Sequence, residues 1–162
     1  MDFQISALPL DAFAPFFAMD EARLQSIGAK WYVADKTPGF PCRVSLEDAT
    51  PGERLLLIPF THQPVDSPYR ASGPVFVRES ARQASPGANE VPEQLRSRLL
   101  SVRAYDAGSF MVAADVVDGS ELETLVERLF ADSRISYLHV HFARPGCYAC
   151  RIDRFRQASL QK

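Results

Sequence analysis

Leu122, Leu125, Val126, Leu129 and Phe130 recur at helical spacing between two runs with strand character, 110–117 and 135–142, and this alternation constrains the fold more than any other stretch. A helix over 119–131 turns that stripe towards one face of a sheet. Asp118 stands at its N-cap, and Glu121 three residues later completes a capping-box pattern. A strand-helix-strand unit of this kind is expected to close as a right-handed crossover.

Upstream, 54–60 is apolar on both faces, as a central strand would be, with Pro59 expected to end the ladder or bulge it. Residues 75–79 and 101–106 read as further strands, 92–99 as a short helix opened by Pro92, and 80–90 as a loop. Near the start, 20–27 has the pattern of a helix closed by Gly28, with a strand at 31–34. Seven or eight strands and two to four helices in irregular order predict an α+β fold, a single domain over 1–162 with a mixed or mostly antiparallel sheet.

A chain of 162 residues buries a core without disulfide or metal staples. Its 46% apolar and 23% charged residues are the make-up of a globular protein, and a formal charge of −2 supplies no basic field. Nucleic acid and anionic membranes are therefore not expected as partners, and small molecules are. The apolar stretch 13–19 is short and flanked by Asp11 and Asp20, so neither an export signal nor a membrane span is expected. An odd cysteine count fits free thiols, hence a cytoplasmic setting.

His139 and His141 lie two apart in the last strand-like run, so strand alternation puts both imidazoles on one face. Two imidazoles at one spot bind metal or move protons. The turn signal Pro145-Gly146 follows, then Cys147 and Cys150, and turn parity decides which cysteine shares the histidines' face: an even-numbered turn selects Cys150, an odd-numbered one Cys147. Because those cysteines point to opposite faces in extended chain, a zinc site with two histidines and both cysteines is not expected from this hairpin alone.

Two further groups carry chemistry. Cys42-Arg43 sits in a loop rich in proline, 38–48, where a neighbouring guanidinium stabilises a thiolate nucleophile, although a buried inert thiol is the commoner state. Arg43, Arg70, Arg78 and Arg103 can line a pocket for an anionic ligand, the alternative being structural ion pairs with nearby Asp and Glu. His62, just past the apolar strand, can join either group. The chain has no phosphate-cradling glycine loop, dinucleotide fingerprint, Gly-x-Ser-x-Gly elbow or His-Glu-x-x-His helix, which disfavours the enzyme classes that carry them.

The runs from Pro38 to Glu53, headed by Pro38-Gly39-Phe40-Pro41-Cys42-Arg43, from Pro68 to Glu79, and from Leu138 to Ala149 with its Leu138-His139-Val140-His141-Phe142, resemble the bacterial domain-of-unknown-function family numbered 1203. The resemblance spans nearly the whole chain and implies a single domain in a bacterial, cytoplasmic setting, without supplying an activity. It implies counterparts of Cys42, His139, His141 and Cys147, with Cys150 a departure. A four-ligand zinc option, His139, His141, Cys147 and Cys42, follows from it.

Three readings result. The first is an enzyme or sensor for a small anionic molecule, with Arg43, Arg70, Arg78 and Arg103 as binding residues and His139, His141 and Cys42 as catalytic ones. The second is a metal-binding protein using the His-x-His strand and a cysteine. The third is a non-catalytic protein-interaction domain.

Overall fold

Side-chain alternation organises the chain into strands far more than into helices. The computed structural model, described here for residues 1–155, has eight strands in two sheets. The strands are β1 (Phe3–Ser6), β2 (Lys30–Val33), β3 (Arg54–Gln63), β4 (Ala71–Arg78), β5 (Leu99–Tyr105), β6 (Met111–Asp118), β7 (Tyr137–Phe142) and β8 (Tyr148–Arg154). One sheet has five strands in the order β1-β8-β7-β5-β6, the other three in the order β2-β3-β4, and every strand pairing in both is antiparallel. The α+β expectation is corrected by this arrangement: the protein is mainly β, with 19% of the described residues helical. Helix signals are present in the sequence, but the helices they make are short: α1 (Glu21–Ser26), α2 (Glu93–Arg96) and α3 (Leu122–Phe130).

Local rules account for the helix ends. The Asp20 carboxylate accepts the N–H of Arg23 at 2.8 Å and starts α1. Gly28, at φ +77°, stops it, with its N–H on the Gln25 carbonyl and that of Ala29 on Leu24. At α3 the expected capping box does not form: Asp118 makes no side-chain cap bond, and Gly119–Glu121 is a 3-10 turn leading into the helix. Gly119 is demanded here by packing, because a Cβ on it would lie 1.8 Å from the Leu95 carbonyl oxygen.

The stripe of α3 is buried as its spacing predicts, with Leu122, Leu125, Val126, Leu129 and Phe130 all inside. It packs on one face of the five-stranded sheet against Leu100, Val102, Leu138, Val140 and Ile152. Each such side chain contributes about 1.5–3 kcal/mol relative to exposure. The strand-helix-strand unit skips a strand: β6 and β7 are each antiparallel to β5, which lies between them.

β3 is central in its sheet, as its unbroken apolar run predicts, and both faces are covered at Leu55 and Leu56, whereas Leu57 is half-buried and Pro59 exposed. Pro59 does not end it. The strand continues past a Pro59–Pro74 pair, and the irregularity falls between Phe60 and Gln63, where the register gains one residue over β4. A second core joins Leu56, Ile58, Val75 and Val77 of this sheet to Tyr148 of β8. No helix among the described residues is long and apolar enough to cross a membrane.

Candidate functional site

β7 is buried on both faces, and its alternation divides it cleanly. Leu138, Val140 and Phe142 enter the core under α3. Tyr137, His139 and His141 therefore face the other way, towards the three-stranded sheet. On β5, Arg103 is the cross-strand partner of His139 and Ser101 that of His141. On β8 the register shifts between Cys150, opposite Val140, and Tyr148, opposite His141. That bulge sends Ala149 and Cys150 together into the core under α3 and leaves Tyr148 on the histidine side.

The bulge in β3 completes the site from the opposite sheet. His62 continues the inward positions Ile58 and Phe60, and the extra residue lets Gln63 turn inward as well, so its Nε2 donates to the Tyr137 hydroxyl at 2.8 Å. His62 stacks on Tyr148 with ring centroids 4.9 Å apart and meets His141 edge-on at 5.2 Å. His139 is edge-on to both Tyr105 and Tyr148. One ring nitrogen from each of His62, His139 and His141 lies within 4.8 Å of the others, in a box walled by tyrosines.

Hydrogen bonding shows how the nitrogens are disposed. His141 Nδ1 lies 3.0 Å from the Gly146 carbonyl, which only accepts, so Nδ1 carries the proton and Nε2 the lone pair. That Nε2 is buried without a partner, as are His139 Nδ1 and His62 Nδ1. Unpaired buried polar atoms are uncommon and costly, and each of the three grouped rings carries one. Burial, followed by the charges of Arg151 and the other histidines, lowers the His139 pKa to about 3. Burial also lowers His141 to about 4, against the opposing pull of the Gly146 carbonyl. Burial and Arg103 lower His62 as well. At neutral pH the rings are uncharged. Arg103 is half-buried beside them and makes no ion pair among the described residues.

The other sequence candidates are distributed elsewhere. Cys42 has no exposed surface, and its Sγ accepts the N–H groups of Ser45 and Arg78, each at 3.4 Å. Cys150 is sealed opposite Val140, and burial pushes its thiol up to about 12. The Cys147 carbonyl accepts the Phe142 N–H, and Cys147 lines a cleft together with Phe142, Leu57 and Phe76. No cysteine belongs to the histidine group among the described residues, and all of Cys42, Cys147 and Cys150 are free thiols.

The arginines do not share one pocket either. Arg78 is held by Glu53 at 2.6 Å and Glu47 at 3.0 Å, and Arg70 is exposed ahead of β4. Arg43 is buried at the cleft of Cys147, and of these four arginines Arg103 is the cross-strand neighbour of the histidines, with Arg151 opposite His139 on the other side. Of the functional side chains, His62 had the weakest sequence signal, namely its alternation with Ile58 and Phe60.

Fold and site together define a class: a mainly β protein of two antiparallel sheets with a buried histidine cluster where they meet. The chain belongs to the family described as a protein of unknown function, DUF1203, whose pattern matches residues 39–154 and so includes all the histidines of the cluster. No curated protein and no solved structure matches it.

Proposed function

We propose that this is a metal-binding protein in which His62, His139 and His141 hold a divalent ion of the zinc type and leave a further coordination position free. The observation that carries the reading is the grouping of three imidazoles from two different sheets, with a nitrogen of each within 4.8 Å of the others and each ring holding a buried, unpartnered nitrogen. The His141 Nδ1 bond to a backbone carbonyl is the outer support that metal-ligating histidines regularly have, since it fixes the tautomer and orients the ring. Tetrahedral coordination with bonds of about 2.0–2.1 Å requires nitrogens about 3.4 Å apart, so ring movements of about 1 Å close the site.

Three neutral imidazoles with an exchangeable fourth position form the ligand set of catalytic rather than structural zinc. An ion there would act as a Lewis acid. Arg103, opposite His139 and without a carboxylate partner among the described residues, biases that fourth position towards an anion. Cys42 and Cys147 are left out of the proposed ligand set, because the Cys42 thiol accepts two backbone N–H groups and neither cysteine belongs to the histidine group.

The test is elemental analysis of untagged protein, as purified and after zinc dialysis, together with visible spectroscopy of the cobalt-loaded form. About one equivalent, with the strong d–d bands of tetrahedral cobalt, is expected. His62→Ala should abolish both while leaving the circular dichroism of the sheets intact. Less than about a tenth of an equivalent after dialysis, with no thermal shift on adding zinc, sinks the reading.

A further inference from the structure

Away from the histidines, a cleft of about 650 Å³ opens beside the β7–β8 turn. Its size is that of a small-molecule site. Leu57, Phe76, Phe142 and Pro41 contribute apolar walls, Arg43 lies against its inner end, and Arg144 stands exposed at its rim.

Arg43 is the unusual group. It is 3% exposed, yet no carboxylate pairs with it, and its Nε and Nη1 donate to the backbone carbonyls of Tyr148 and Pro41. Nη2 has no protein acceptor among the described residues. Burial lowers its pKa to about 10, with Cys147 and Cys42 acting in the opposite direction, so the guanidinium stays charged at neutral pH. The neighbouring arginines differ: Arg98 is matched by Asp48 at 2.6 Å and Arg96 by Glu123. Asp118 is the cleft's own carboxylate, which leaves Arg43 and Arg144 opposed by one acidic group. Stacking of Arg43 on Phe142, with its guanidinium carbon 4.9 Å from the ring centre, holds the charge in place without neutralising it. A buried cation without a counter-ion is costly, and an anion entering from the cleft removes that cost.

We infer that this cleft binds a small organic carboxylate with an apolar body, its charged end on Arg43 and its hydrocarbon against Leu57, Phe76 and Phe142. The apolar walls distinguish such a ligand from inorganic phosphate, which would leave them wet. This site is separate from the histidine cluster, and its occupancy does not depend on a metal.

The protein carries its own reporter. Cys147 is half-buried on the cleft wall, while Cys42 and Cys150 have no exposed surface, so alkylation of the native chain by iodoacetamide reads the cleft. Benzoate and hexanoate are expected to slow that alkylation saturably, at least threefold, and to raise the melting temperature, in buffer with or without EDTA. Benzamide, of the same shape but uncharged, should do neither. Arg144→Ala, at an exposed position that does not threaten folding, should raise the half-saturating benzoate concentration severalfold, and Arg43→Met should abolish protection. Should Arg43→Met not fold, Leu57→Trp, which fills the cleft, serves in its place. Equal protection by benzamide, protection by phosphate but not benzoate, or no protection by either carboxylate would overturn the inference. A carboxylate effect that disappears with EDTA would also overturn it, by placing the ligand on the metal.

Discussion

Lowering the pH of the metal-free protein from 7 to 5 should remove about 4 kcal/mol of its stability, with His139 and His141 as the cause. Both are 2% exposed. Their folded pKa values lie at about 3 and about 4, each lowered first by burial. An unfolded histidine titrates near 6.5, so as the pH falls through that value the unfolded chain takes up protons that the folded chain refuses. Each group then costs about 1.4 kcal/mol per pH unit below its unfolded pKa, which amounts to about 2 kcal/mol per histidine at pH 5. The loss begins near pH 6.5 and stops growing only below the folded values.

Urea unfolding followed by fluorescence, at half-unit steps from pH 7.5 to 5 in EDTA, measures this directly. His139→Leu should reduce the loss by about 2 kcal/mol, because one titrating group is gone. A free energy that stays flat across the interval would refute the packing argument, since it would mean that the imidazoles accept protons in the folded state as readily as in the unfolded one.

Glu53 defines a separate acid limb. Burial pushes its carboxyl up, but the Thr50 N–H and the Arg78 guanidinium outweigh this and hold it at about 2, so its contribution is complete above the unfolded pKa and lost as pH falls from about 4.5 towards 2. Asp132 and Asp115, held low by Arg134 and Arg128, titrate in the same window, so Glu53→Gln should make that limb shallower and leave the pH 5–7 slope unchanged, which the unfolding series extended to pH 2 checks. Gly119→Ala should destabilise by about 3 kcal/mol in urea melts, since the added methyl meets the backbone of Leu95 and Arg96 rather than a movable side chain. Asp48→Ala strands Arg98, whose pair is only 14–18% exposed, and should cost about 2–3 kcal/mol, against under 1 kcal/mol for Asp115→Ala at the exposed Arg128 pair.

Much of the molecule was legible one element at a time. The α3 stripe, the Asp20 cap, the Gly28 stop, the central place of β3 in its sheet and the shared face of His139 and His141 follow from periodicity and local hydrogen bonding, which act over a few residues. The fold class was not legible in the same way. Helix signals at 20–27 and 92–99 mark where helices start without fixing how far they run, and the chain spends its length on strands.

What the sequence by itself determined was the chemistry available: paired imidazoles on an extended segment, arginines that could meet an anion, and thiols left without an obligatory partner. Only the tertiary structure decided which groups meet. Sheet packing sets His62 of β3 against the histidines of β7, one extra residue between Phe60 and Gln63 turns Gln63 inward beside it, and one at Ala149 carries Cys150 away from them. Bulge position and strand order depend on side-chain packing between distant segments, so no local pattern encodes them.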